Sequence, residues 1–109
     1  MNFEVQKDEH SATLKLKERK LDSSVSPTLK GEFLILCKPK LQTLNVDLAD
    51  VEFCDSSGLS ALLIADRKMK EHGGKVVLHN VHKNVSSLIK ISMLERLFEI
   101  HEHRAIVKH

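Results

Sequence analysis

Apolar and polar residues alternate along several short stretches of the chain and recur at helical spacing along three longer ones. In ATLKLK, Ala12, Leu14 and Leu16 alternate with Thr13, Lys15 and Lys17, the pattern of a strand with one buried and one wet face. FEVQKD ahead of it reads as a partner strand, with DEHS as the turn between them. TLNVDLADV sets Leu44, Val46 and Leu48 against Asn45 and Asp47, a third strand, and KVVLHNV reads as a fourth. Between them, Leu29, Phe33, Leu36 and Cys37 recur at helical spacing. Ser26 is expected to cap this helix, Pro27 suits its first turn, Pro39 ends it, and Gly31 weakens its middle.

A second helix follows in SSGLSALLIADRKMKEHGG. Its apolar side carries Leu59, Leu62, Leu63 and Met69, its wet side Asp66, Arg67, Lys68 and Lys70, and Gly73-Gly74 stops it. A third amphipathic helix is expected through NVSSLIKISMLERLFEI, on Val85, Leu88, Ile89, Met93 and Leu97, with room for a last short strand in HEHRAIVKH. The order β, β, α, β, α, β, α indicates an α/β domain. The opening hairpin pairs antiparallel, so the sheet is expected to be mixed.

At 109 residues, a single domain spanning residues 1–109 is expected, large enough to bury its own core. A net charge of +2 is too small to point to nucleic acid, and four Phe without Trp or Tyr offer no base-stacking platform. No direct contact with nucleic acid is therefore expected. Cys37 and Cys54 lie in apolar runs without a CxxC pair, the N-terminus is charged from its fourth residue, and no apolar run has the length of a membrane span. These features predict a cytoplasmic protein with reduced thiols and no membrane insertion. His101, Glu102, His103 and His109 read as a solvated tail, so neither metal nor cofactor is expected. Asp47 and Asp50 need not converge, which argues against a catalytic carboxylate pair.

The chemistry concentrates in FCDSSGLSALL, where the third strand runs toward the second helix. Ligands of α/β sheets bind at such junctions. Three readings compete for Asp55, Ser56 and Ser57. They cap the helix, an effect of about 0.5–2 kcal/mol; one serine is a nucleophile; or one serine carries phosphate. The nucleophile reading finds CDSSG one residue from the G-x-S-x-G elbow, but Cys54 replaces the first glycine. His79 and His82 are the candidate bases, and nothing in the sequence orders them against Ser56. Phosphate suits the position physically, because a helix N-terminus offers unpaired N–H groups and positive potential. Cys54, next to the Asp55 charge, reads as a buried thiol.

VDLADVEFCDSSGLSALL also resembles the hallmark segment of STAS domains, specifically bacterial anti-sigma factor antagonists. LKLKERKLDSS is similar to the family's second strand with its Leu-Asp ending, GGKVVLHNV to its next strand, and VSSLIKISMLERLFEI to its following helix; the likeness is strongest over residues 3–100. The resemblance implies a four- or five-stranded mixed sheet with helices mainly on one face. It implies a non-enzymatic binding protein that docks on an anti-sigma factor, often a serine kinase, and thereby regulates transcription. Phosphorylation at Ser56 would release the partner, and a phosphatase would reset the switch. Asp22, Ser23, Asp55, Ser57, Gly58, Leu59 and Ser60 would form the partner-binding surface, with Leu59 exposed at the start of the helix. Ser57 is the alternative acceptor. Two positions depart from the family pattern: Arg19 stands where a Gly is frequent, and Ser60 where Gly or Ala is frequent. STAS domains also serve as small subunits docked on a membrane transporter ATPase, a role in which Ser56 would be a contact and phosphate irrelevant.

Overall fold

The computed structural model describes residues 1–103. Strands β1 (Phe3–Lys7) and β2 (Ser11–Leu16) form the expected hairpin. Then come β3 (Lys20–Leu21), α1 (Ser26–Leu36), β4 (Thr43–Asp47), β5 (Phe53–Cys54), α2 (Ser56–Lys70), β6 (Lys75–Val81), α3 (Lys83–Ile91) and β7 (Glu99–Glu102). Five strands form one mixed sheet in the order β1-β2-β4-β6-β7, antiparallel only between β1 and β2.

The alternation in sequence sets which face is covered. Ala12, Leu14 and Leu16 of β2 and Leu44 and Val46 of β4 are buried, and register places Leu14 beside Val46 and Val46 beside Leu78. The intervening Thr13, Lys15, Asn45 and Asp47 are only half-buried on the opposite face. The helices thus lie on one side, where Leu29 and Phe33 of α1 and Leu62, Ala65 and Met69 of α2 complete the core. Fully burying side chains of this size contributes about 1.5–3 kcal/mol each.

Four local expectations change. Ser26 does not cap α1: Val25 holds the cap position, and the buried Ser26 hydroxyl donates to Ser57 O at 2.8 Å. Asp66 is not on the wet side of α2 but 7% exposed, bridged at 2.9 Å by Lys70 one turn on. The third helix does not run on to residue 100. Met93 turns left-handed at φ 60°, its N–H donates to Lys90 O at 2.9 Å, and Leu94 N–H donates to Ile89 O at 3.0 Å. These two bonds close a Schellman motif, a stop that sequence seldom signals when Met occupies a position favoured by Gly. A 3-10 turn (Glu95–Leu97) then leads into β7, which occupies the start of the stretch expected to hold a last strand. His109 of that stretch lies outside the described residues.

The fourth change concerns the functional region. Strands β3 and β5, two residues each and too short for any alternation, pair parallel as a separate small sheet, Lys20 beside Phe53 and Leu21 beside Cys54. The hallmark helix therefore starts from β5 and not directly from β4.

Candidate functional site

Parallel pairing of β3 with β5 carries two chain segments forward side by side, and each next residue is an aspartate: Asp22 after Leu21, Asp55 after Cys54. Each aspartate turns its strand toward a helix. Asp22 accepts from the Ser24 amide at 3.0 Å and the Ser24 hydroxyl at 2.6 Å, and its carbonyl accepts from Val25 N–H and Ser26 N–H. The Ser24 hydroxyl and amide hold the Asp22 carboxyl below its ordinary range. Asp55 Oδ1 accepts from Ser57 N–H at 2.9 Å and Gly58 N–H at 3.1 Å, closing the N-terminus of α2. The Ser26–Ser57 bond ties the start of α1 to the start of α2.

Gly58 makes this junction possible. A Cβ there would lie 2.2 Å from Leu21 O, 2.6 Å from Leu21 Cγ and 2.9 Å from Cys54 Sγ. The first turn of α2 therefore rests directly on both strands of the small sheet. Burial, with a smaller contribution from the Asp55 charge, pushes the Cys54 thiol up to about 12, and burial pushes Cys37 up to about 11. Neither cysteine is a ready nucleophile at neutral pH.

Around the junction, Ser56 and Ser23 are exposed, Asp22, Asp55, Ser57 and Ser60 half-buried, and Gly58 buried. Leu59 is corrected: it is 6% exposed and belongs to the core, so its side chain is not offered to a partner. Ser23, Ser26, Ser56, Ser57 and Ser60 line an open depression of about 340 Å³ with Pro27 and Lys30 of α1. Sequence reasoning missed the α1 contribution, because periodicity locates a helix but not the neighbour beside it. Ser26 was the available signal, a polar residue at the margin of an apolar run whose partner is the other helix.

Asp55 satisfies the cap by itself, and among the described residues the Ser56 side chain makes no hydrogen bond. Neither histidine considered as its base lines the depression. His79 Nε2 lies 2.8 Å from Asn45 Oδ1, and His82 Nε2 lies 2.5 Å from Ala49 O. Each stacks on a histidine of the C-terminal stretch, His101 and His103 respectively. No helix among the described residues is long and apolar enough to cross a membrane.

Comparison with known proteins follows the same lines. An anti-sigma-factor antagonist (STAS) domain protein from Planctomyces limnophilus superposes with a TM-score of 0.81 at 17% identity, over 94% of this chain and 91% of its own. The anti-sigma factor antagonist SpoIIAA in its unphosphorylated form gives 0.78 at 18% identity, over 91% and 87%. The phosphorylated form of SpoIIAA, a Bacillus cell fate determinant, gives 0.72 at 17%, over 91% and 90%. A sulfate transporter family protein from Wolinella succinogenes gives 0.73 at 17%, over 85% and 77%. At these identities the likeness is one of fold. The family model described as "Mlab, STAS domain" matches residues 3–100, and with nearly the whole chain under that match it belongs to the STAS domain family.

Proposed function

We propose that this chain is an anti-sigma factor antagonist, docking on an anti-sigma factor through the Ser56 turn and released when a serine kinase phosphorylates Ser56. The observation that carries this reading is the division of labour at α2. Asp55 alone caps the helix, and the exposed Ser56 hydroxyl is left without a structural task. A phosphoryl group there adds about −1.5 to −2 charges. The positive end of α2 favours that charge, whereas Asp55 opposes it. The fold then survives modification while the surface presented to a partner gains negative charge. Asp22, Ser23, Asp55, Ser57 and Ser60 form the surrounding contact surface, Gly58 and Leu59 support it from beneath, and a phosphatase restores it in the cytoplasm.

The test is incubation of the purified chain with the anti-sigma factor kinase of its source organism and ATP, followed by intact-mass analysis and peptide mapping. One phosphoryl group on Ser56, absent from Ser56→Ala, together with loss of the complex, is the expected result. Modification of Ser57 alone would move the switch by one residue. A second reading has its own support in the transporter-family neighbour. There the chain is a subunit docked on a transporter ATPase. Stable binding to such an ATPase, unaffected by ATP-dependent kinase treatment, would favour it over the first.

A further inference from the structure

Gly31 stands in the middle of α1, where glycine is unfavourable relative to alanine. Among the described residues, no packing contact requires it. Its φ is not left-handed, and among the described residues an added Cβ would meet no atom within 4 Å outside its own stretch of helix. At Gly58, the other helical glycine, Leu21 and Cys54 block the place a Cβ would take, so the same residue type has opposite surroundings in the two helices.

Pro27, Lys30, Gly31 and Leu34 fall at i, i+3, i+4 and i+7 and share one side of α1. Pro27 and Lys30 already line the depression with Ser56 and Ser60. Gly31 and Leu34 continue that side away from it, and Leu34 is 48% exposed. Lys30 is the single charged residue in the lining and, among the described residues, makes no ion pair. Asp22 and Asp55, the nearest acids along the junction, are hydrogen-bonded within their own turns. The surface thus combines an unspent cation, the positive end of α2, an exposed leucine and a position where backbone can be approached closely.

We propose that this side of α1 is the second half of the docking surface, receiving an acidic segment of the protein partner with its carboxylate on Lys30 and its chain pressed against Gly31. The inference rests on the anti-sigma reading and deepens it. Phosphate on Ser56 would sit across the same depression, compete for Lys30 and repel the incoming carboxylate, which gives the switch its sign.

The experiment compares wild type, Gly31→Ala and Lys30→Gln for thermal midpoint and for affinity toward the purified anti-sigma factor of the source organism, at two salt concentrations. Gly31→Ala is expected to raise the midpoint by about 4 °C, because helix propensity improves and no contact is strained. It is expected to weaken binding about tenfold. Lys30→Gln is expected to leave the midpoint unchanged, weaken binding about fivefold and flatten its salt dependence. Wild-type affinity in Gly31→Ala, or an unchanged salt slope in Lys30→Gln, would overturn the proposal while leaving the anti-sigma reading intact. Absence of wild-type binding would instead remove that reading, and this inference with it. Concentration-dependent dimerisation abolished by Gly31→Ala would assign the surface to a second copy of the chain and overturn the acidic-partner proposal.

Discussion

Gly58→Ala tests whether the start of α2 is held against the small β3–β5 sheet as closely as the contacts indicate. The added methyl carbon would stand 2.2 Å from Leu21 O and 2.6 Å from Leu21 Cγ, far inside van der Waals contact. A carbonyl oxygen in a paired strand cannot rotate away, so the helix must back off by about an ångström. That movement stretches the Ser26–Ser57 bond of 2.8 Å and the Asp55 N–H to Leu21 O bond of 3.3 Å, each contributing about 1 kcal/mol. Overpacking adds about 1–3 kcal/mol, and alanine's better helix propensity returns less than about 1 kcal/mol. The expected net loss is about 3 kcal/mol, or a fall in midpoint of about 15 °C for a domain of this size. Guanidinium unfolding followed by circular dichroism measures it, with a lower midpoint concentration and an unchanged slope. A variant as stable as wild type would refute the reasoning, because it would mean that α2 and the small sheet are not in contact at Gly58.

Ser56→Asp is expected to weaken binding to the anti-sigma factor by at least about tenfold while shifting the midpoint by less than about 2 °C, since the exposed side chain makes no hydrogen bond among the described residues; calorimetric titration and thermal melts check both. Asp55→Ala removes a cap with two bonds and should cost about 1–2 kcal/mol in chemical unfolding, whereas Asp55→Asn, which retains an acceptor, should cost less. The Asp22 carboxyl is held low by Ser24, so its turn is intact above the unfolded-state value and loosens as pH falls through the lower folded value. The Ser24 amide resonance should follow that titration, and Ser24→Ala should raise the Asp22 value. Iodoacetamide at pH 7.5 should leave Cys37 and Cys54 of the native protein unmodified while labelling both in denaturant, given thiols pushed up to about 11 and about 12.

What the sequence disclosed, and what it withheld, follows physical lines. Period-two alternation identified β2 and β4 because each has one covered face, and the covered face is where Leu14, Leu16, Leu44 and Val46 point. Gly73 and Gly74 marked the end of α2 because Gly73 takes a left-handed φ of 79° and Gly74 N–H closes on Met69 O at 2.8 Å. The same backbone device ends α3 at Met93, where composition is silent. Strands of two residues carry no periodicity, so β3 and β5 were invisible, although they bring Asp22 beside Asp55. Leu59 was read as an exposed contact because helical spacing gives a face without saying how far the neighbouring sheet extends over its first turn. Asp66 was misread for the same reason at the other end.

The junction also separates what maintains the fold from what is free to change. Asp55, Gly58, Ser26 and Leu59 point inward or along the backbone, and each is committed to a bond or a packed contact. Ser56, Ser60 and Lys30 face the depression, and altering their charge disturbs none of those contacts. On the proposed function, a charge added at Ser56 would act on the partner's equilibrium and not on folding, because stability and recognition would draw on different side chains of one turn. Gly58 is the other case: on the same reading its replacement would affect recognition only by moving the turn on which Ser56 sits. Two substitutions two residues apart, Ser56→Asp and Gly58→Ala, should accordingly both weaken binding and differ in stability, the first keeping a native midpoint and the second losing it. If both lowered stability alike, the turn would be a structural cap whose serines happen to be exposed, and the switch would have to lie elsewhere on the surface.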